Sequence, residues 1–211
     1  GKSIIGWKLA QTTPKAQALA GLAAPTVSPL LDGMIVPNET VFPTKHFYAP
    51  EVEAEIVIET ALEIDGPLTA AATWDAVGNI RLAMEIADTR YVDKPAVGAL
   101  SVIADMNSCG ALVVGPPLNR SELMEAAACP VLLRLGDSSL LTELEPDMRP
   151  KPLEVLRFLS EFATARGHKI PAGTLVTTGT HTKPTHSGPG QLVAEFRSAG
   201  KLFARLSEAR S

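Results

Sequence analysis

Cysteine is nearly absent: the 211 residues contain two, Cys109 and Cys129. Two thiols in apolar stretches cannot build a disulfide framework, so both are expected as buried, reduced groups in a cytoplasmic protein. No apolar run approaches the ~18 residues of a membrane-spanning helix. Lysine and arginine form no stripe or tail, and the net charge is −4. Nucleic acid and anionic membrane are therefore poor candidate partners. The chain opens Gly1-Lys2-Ser3-Ile4-Ile5, without the apolar region of a signal peptide. Histidine is scarce too: His46, His168, His181 and His186 do not give the short His/Cys spacing that zinc prefers.

What is present suits a globular domain with a substantial core. Hydrophobic residues make up 45% and charged residues 20%, and neither a repeat nor a linker divides residues 1–211. Ile4 to Leu9 reads as a strand. Thr13 and Pro14 read as the cap and first position of a helix through Ala20, and Gly21 to Pro29 as a turn-rich connection. In Pro50 to Glu59, apolar Val52, Ala54, Ile56 and Ile58 alternate with Glu51, Glu53, Glu55 and Val57, the period of a strand. Asp65-Gly66-Pro67 breaks the chain. Trp74, Val77 and Ile80 then fit one face of a helix over 73–80, and from Arg81 the period shifts toward two, placing Glu85 on a strand. Cys109 to Gly115 and Val131 to Leu135 read as buried strands, with a short helix over 121–128 between them. Pro152 opens the clearest helix, striped by Leu153, Leu156 and Leu159 and closed by Gly167. A strand over 174–178, a Gly/Pro-rich loop over 179–190 and a hairpin over 191–206 complete an α+β domain with a few short helices laid on sheets.

Successive strand side chains point to opposite faces, so Glu53 and Glu55 share one. Such a pair more often decorates a solvated surface. Here the flanking residues are apolar, where an unpaired carboxylate is costly. Glu53, Glu55 and Glu85 together offer an all-oxygen donor set, suited to Mg²⁺ or Mn²⁺. Lys8 follows Gly6-Trp7 in an apolar run. It reads either as a surface lysine beside a core Trp or as a general acid/base whose pKa answers to burial and neighbouring charge. Asn107 and Ser108 precede a buried strand and can serve a turn or a substrate carboxylate equally. Thr178 and Gly179 end a strand at a loop, an edge able to present N–H groups to an anion. Asp88, Arg90 and Asp93 read first as a structural ion-pair cluster, and Arg90 second as a carboxylate clamp.

Taken in order, Gly6-Trp7-Lys8, Leu31-Asp32-Gly33-Met34, Glu53-Ala54-Glu55, Glu85 with Arg90, Asn107-Ser108-Cys109-Gly110, Lys151-Pro152-Leu153 and Thr178-Gly179 resemble the fumarylacetoacetate hydrolase superfamily. Within it the resemblance is to the 2-oxopent-4-enoate hydratases and 2-oxo-3-hexenedioate decarboxylases, from Gly6 to about Phe203. It implies a β-rich mixed roll, a cytoplasmic homo-oligomer, and in some cases a complex with a related lyase. It implies Mg²⁺ or Mn²⁺ on Glu53, Glu55 and Glu85, Lys8 as the active-site lysine and Ser108 at the substrate. The substrate would be a small 2-oxo acid from aromatic catabolism, most simply 2-hydroxypenta-2,4-dienoate undergoing hydration. Decarboxylation, acylpyruvate hydrolysis and a non-catalytic binding role are the alternatives. Three departures stand out. The helical segment that members carry ahead of Gly-Trp-Lys is almost missing. Thr26 stands in Pro25-Thr26-Val27-Ser28 where many hydratases have Asp, and Lys151 stands where they have His.

Overall fold

The computed structural model describes residues 2–142 and 144–208. Fourteen strands run β1 Ile4–Ala10, β2 Thr26–Leu31, β3 Ile35–Pro37, β4 Val41–Pro43, β5 Glu51–Thr60, β6 Val77–Ala87, β7 Cys109–Val114, β8 Leu118–Asn119, β9 Val131–Leu135, β10 Ser138–Thr142, β11 Leu175–Thr180, β12 Thr185–His186, β13 Gly190–Phe196 and β14 Gly200–Ser207. The α-helices are α1 Pro14–Ala20, α2 Ala70–Asp75, α3 Lys94–Ala104, α4 Leu123–Ala128 and α5 Pro152–Thr164. Among the described residues no helix is long and apolar enough to cross a membrane.

A nine-stranded sheet has the order β2-β1-β11-β5-β6-β7-β3, with β12 added on β5 and β8 on β6. Its end strands β2 and β3 are far apart in that order, yet only Asp32, Gly33 and Met34 separate them in the chain. The sheet must therefore curl until its ends nearly meet, which makes it the expected roll. A five-stranded sheet, β10-β9-β13-β14-β4, packs with α5 against the outside.

Side-chain alternation gives the roll two different faces. On β5 and β6 the even residues Ala54, Ile56, Ile58, Leu82, Met84 and Ile86 face the large core shared with Leu156, Leu159, Leu192 and Phe196. Odd residues Val57 and Ala83 belong to a second, small cluster with Leu30, Met34, Leu112 and Val114 inside the roll. Glu53, Glu55 and Glu85 share the parity of this inner face. Its closed end is apolar; its other end is acidic.

The helix expected over 73–80 is corrected. α2 starts earlier, because the Thr69 hydroxyl accepts the Ala72 N–H, and it stops at Asp75. Val77 and Ile80 instead pair with Thr60 and Ile58 of β5. The supposed connection over 21–29 includes the start of β2, whose Pro29 is tolerated because, among the described residues, β2 is an edge strand with no ladder partner on its far side. The loop over 179–190 includes Thr180, the last residue of β11, and the two-residue β12. Cys109 is buried and Cys129 half-buried, and both are free.

Candidate metal centre and its cleft

The register of β5 and β6 sets Glu53 directly opposite Glu85, with Glu55 one pleat repeat further along. Residues facing each other across an antiparallel pair have Cβ atoms ~5 Å apart, and like charges there are destabilising. One carboxylate oxygen from each of the three lies within 4.8 Å of the others. Glu85 and Glu55 are 0% and 1% exposed, while Glu53 is half-buried at the cleft. Among the described residues, Glu55 Oε2 and Glu85 Oε2 have no hydrogen-bond partner.

Buried anionic oxygens without partners cost several kcal/mol each unless a cation sits among them. Burial, then Glu85, pushes the Glu53 carboxyl up to about 7. Burial, then Glu85 and Glu53, raises Glu55 well above the ordinary range. The donor set thus fits a hard divalent ion: three carboxylates, all oxygen, with acceptors left open.

Stability of the metal-free protein should follow from these shifts. Between pH 4.5 and 7 folded Glu53 holds a proton that the unfolded chain has released, so stability falls as pH rises through this window. His181 acts oppositely. Burial, then Arg149, lowers it to about 4, so stability falls as pH drops from 6.5 toward 4. Comparing melts of wild type and Glu53→Gln in chelator isolates the carboxylate. The variant should match wild type near pH 4.5 and exceed it increasingly up to pH 7. Equal melting temperatures throughout would show that Glu53 carries no such strain.

Lys8 lies on β1 and reaches across the inner face, where its Nζ pairs with Glu85 Oε1 and donates to the Asn107 carbonyl at 2.9 Å. It is 3% exposed. Burial disfavours its charge, but Glu85 first, with Glu53 and Glu55 further down, outweighs burial and holds the ammonium above the ordinary lysine range. The surface-lysine reading is thereby excluded. Asn107 follows α3 in a turn where Met106, Asn107 and Ser108 have φ of 52°, 50° and 62°. Left-handed backbone costs roughly 1–2 kcal/mol per non-glycine residue, least for Asn. Ser108 is 1% exposed and, among the described residues, its Oγ lacks a partner.

Lys8, Glu53, Glu55, Asn107 and Gly179 line one cleft of ≈ 570 Å³, shared with Gln11, Thr12, Lys94, Thr180 and Lys183. Gly179 has φ +98°, and a Cβ there would strike the Thr12 side chain, so glycine is required at this bulge between β11 and β5.

Three residues expected at the substrate already have partners within the protein. Thr178 is buried with Oγ1 donating to the Ile56 carbonyl at 2.9 Å, while its own carbonyl accepts from Thr12 at 3.0 Å. Arg90 is occupied elsewhere: Nε pairs with Asp105, Nη1 donates to the carbonyls of Asp88 and Cys109, and Nη2 to that of Asp105. The structural reading of its neighbours holds in altered form. Asp88 accepts backbone N–H groups of Tyr48 and Ala49, and Asp93 caps α3 through Ala96 N–H. Asn107, expected to offer its amide to substrate, donates Nδ2 to Ser28 Oγ at 2.8 Å. Thr26 Oγ1 bonds to Gln11 Oε1 at 2.7 Å, which leaves no ionisable group there. Lys151 pairs with Glu154 on the surface. No histidine is among the cleft-lining residues.

Sequence reasoning missed Gln11, Thr12, Ser28, Lys94 and Lys183. Gln11 and Thr12 follow directly on the lysine strand, a signal that was available; the others come together only through the sheet.

Residues 16–207 match the family described as Fumarylacetoacetate (FAA) hydrolase C-terminal. The chain is 26% identical over 208 residues to a 4-oxalocrotonate decarboxylase of Pseudomonas putida, covering 98% of this chain and 78% of that protein. It is 26% identical over 216 residues to a 2-keto-4-pentenoate hydratase of Paraburkholderia phymatum, covering 99% and 80%. The structure of 4-oxalocrotonate decarboxylase from Pseudomonas putida G7, complexed with magnesium and adipate, superposes with a TM-score of 0.85 at 25% identity, covering 98% of this chain and 79% of that one.

Proposed function

This chain belongs to the fumarylacetoacetate hydrolase family, and we propose that it is a divalent-metal-dependent lyase that hydrates 2-hydroxypenta-2,4-dienoate to 4-hydroxy-2-oxopentanoate. The observation that carries this reading is the convergence of Glu53, Glu55 and Glu85 opposite a buried lysine. Those three side chains would hold Mg²⁺ or Mn²⁺; magnesium is the ion in the superposed relative. When bound, the ion supplies positive charge that offsets the carboxylates and stabilises negative charge developing at the substrate 2-oxygen.

The remaining work falls to the protein. Lys8, held between Glu85 and the Asn107 carbonyl, gives and retrieves a proton along the dienol. Ser108, buried with an unpartnered hydroxyl next to the cleft-lining Asn107, would donate to the substrate carboxylate if the turn that carries it opens toward the cleft. Gly179, lacking a side chain, lets Thr12 pack directly against β11 at the wall of the cleft. A proton enters at C5 as the 2-hydroxyl gives up its own, leaving a 2-oxo-3-enoate; water then adds OH at C4 and H at C3, so the net change is the addition of H₂O. We place the activity in one catalytic domain of a cytoplasmic homo-oligomer, a placement supported by the free thiols and by exposed Leu19, Val92 and Leu100.

Purified protein with Mg²⁺ or Mn²⁺ should bleach the conjugated chromophore of 2-hydroxypenta-2,4-dienoate, and EDTA should stop it. Unchanged absorbance at high protein concentration would sink the hydratase assignment.

Decarboxylation of 2-oxo-3-hexenedioate is a second reading with its own support. Lys94 and Lys183 line the same cleft, and among the described residues neither has an ion-pair partner, so both are available to a second carboxylate. Loss of CO₂ needs no base to activate water, and the Thr26–Gln11 pair offers none. Replacing Lys94 and Lys183 with Met should raise KM for the hexenedioate by roughly fivefold, about 1 kcal/mol for an exposed charge pair. KM for the pentadienoate should stay put. Equal effects on both substrates would remove the dicarboxylate reading.

A further inference from the structure

The Met106–Ser108 turn strings together three consecutive non-glycine residues with left-handed backbone at the cleft. Such a run persists only where its surroundings over-determine it, and it commonly marks a functional site. Two restraints are visible. From outside, Arg90 grips Asp105 and the carbonyl of Cys109, on either side of the turn. From inside, Asn107 Nδ2 donates to Ser28 Oγ at 2.8 Å.

Ser28 is 1% exposed and faces Lys8 directly across the β1–β2 ladder. Lys8 Nζ donates to the Asn107 carbonyl at 2.9 Å. The three residues thus form a closed loop of contacts: β-ladder from Lys8 to Ser28, side-chain bond from Ser28 to Asn107, carbonyl bond from Asn107 back to Lys8.

We propose that Ser28 is a positioning residue for Lys8, acting through Asn107. A lysine has a flexible four-carbon stem, and three nearby carboxylates pull its ammonium to one side. The Asn107 carbonyl is the opposing anchor, and it keeps that orientation only while the left-handed turn is locked. Without the Ser28 hydroxyl the Asn107 amide is left buried and unpaired, and the turn is free to relax. Lys8 then loses its second acceptor.

This inference rests on the lysine role given above, so its test needs one arm independent of turnover. In metal-free protein carrying ¹⁵N-lysine, the buried Lys8 ammonium should give a slowly exchanging NMR signal, identified by its loss in Lys8→Met. Ser28→Ala and Asn107→Gly should each broaden or abolish that signal. Asn107→Gly relieves the backbone strain while keeping the carbonyl, so it separates the side-chain bond from the turn conformation. Ser28→Thr, which retains the hydroxyl, should restore the signal. Ser160→Ala removes an equally buried hydroxyl that accepts the Leu68 N–H at 2.9 Å; it should lower the melting temperature and leave the signal intact.

In the activity arm, Ser28→Ala should lower kcat roughly 10- to 100-fold with KM nearly unchanged, as for a reacting group displaced by about an ångström. The double variant Ser28→Ala/Asn107→Gly should be no worse than the poorer single variant, because both remove one bond. An unperturbed Lys8 signal in Ser28→Ala, or multiplicative losses in the double variant, would overturn the proposal. If no substrate turns over, the lyase reading fails, and the NMR arm still decides whether Ser28 positions Lys8.

Discussion

Glu55→Gln should lower turnover on the order of 100- to 1,000-fold, the cost of losing one preorganised electrostatic contact at a developing oxyanion. The same substitution should make the metal-free protein more stable. Glu55 is buried, its Oε2 has no partner among the described residues, and burial with Glu85 and Glu53 already pushes its pKa up. A neutral amide of the same shape removes that penalty, and breaking up a cluster of like charges is favourable when no counter-ion is present. Divalent metal should therefore raise the melting temperature of wild type strongly and of the variant weakly. Calorimetric titration with Mn²⁺ and melts with and without EDTA check both halves. A variant less stable than wild type in EDTA would mean that the carboxylates are satisfied without an ion.

The second large effect is at Lys8. Lys8→Met should reduce kcat roughly 100- to 10,000-fold, the range for a positioned general acid/base. The methionine matches the lysine stem in length but cannot pair with Glu85 or bond to the Asn107 carbonyl. Glu85 then keeps an unpaired buried charge, so metal-free Lys8→Met should also melt below wild type, the opposite of Glu55→Gln. Metal should recover much of that loss. If kcat survives in Lys8→Met, proton transfer belongs to another group, and Lys8 serves only to balance charge.

Which parts of this site could be read from residues alone follows from how far each interaction reaches. The Glu53/Glu55 strand was legible because a local period of two is decided within ten residues, and the shift of period after Arg81 placed Glu85 correctly. The helix expected over 73–80 failed because Trp74, Val77 and Ile80 fit a helical face, while Val77 and Ile80 also suit a strand; the β5 ladder decided between them. β2 was hidden by Pro25 and Pro29, which act as breakers everywhere except at an edge such as this one. α3 went unread because Gly98, with φ 76°, interrupts it and none of its residues is buried. Arg90 read first as part of a structural ion-pair cluster, and it does pair, with Asp105; the Asn107 amide partner could not be read. Arg90 serves backbone carbonyls, and the Ser28–Asn107 bond spans 79 positions, beyond any local pattern.

The order of strands around the roll has a consequence for how the protein comes into being. Lys8 is made well before β11, yet its strand β1 is completed on one side by parallel pairing of Gly6 and Trp7 with Leu175 and Val176 of β11. Loop closure over such a span must precede the contacts that reward it, so folding is expected to be slow for the chain's length. On a ribosome adding ~5–20 residues per second, the chain would wait many seconds between emergence of the lysine and arrival of its neighbouring strand. Glu53 and Glu85 can pair long before then, as a hairpin-like unit with its acidic face uncovered. The acidic face is thus assembled before β11 brings Gly179 and Thr180 to close the cleft around it.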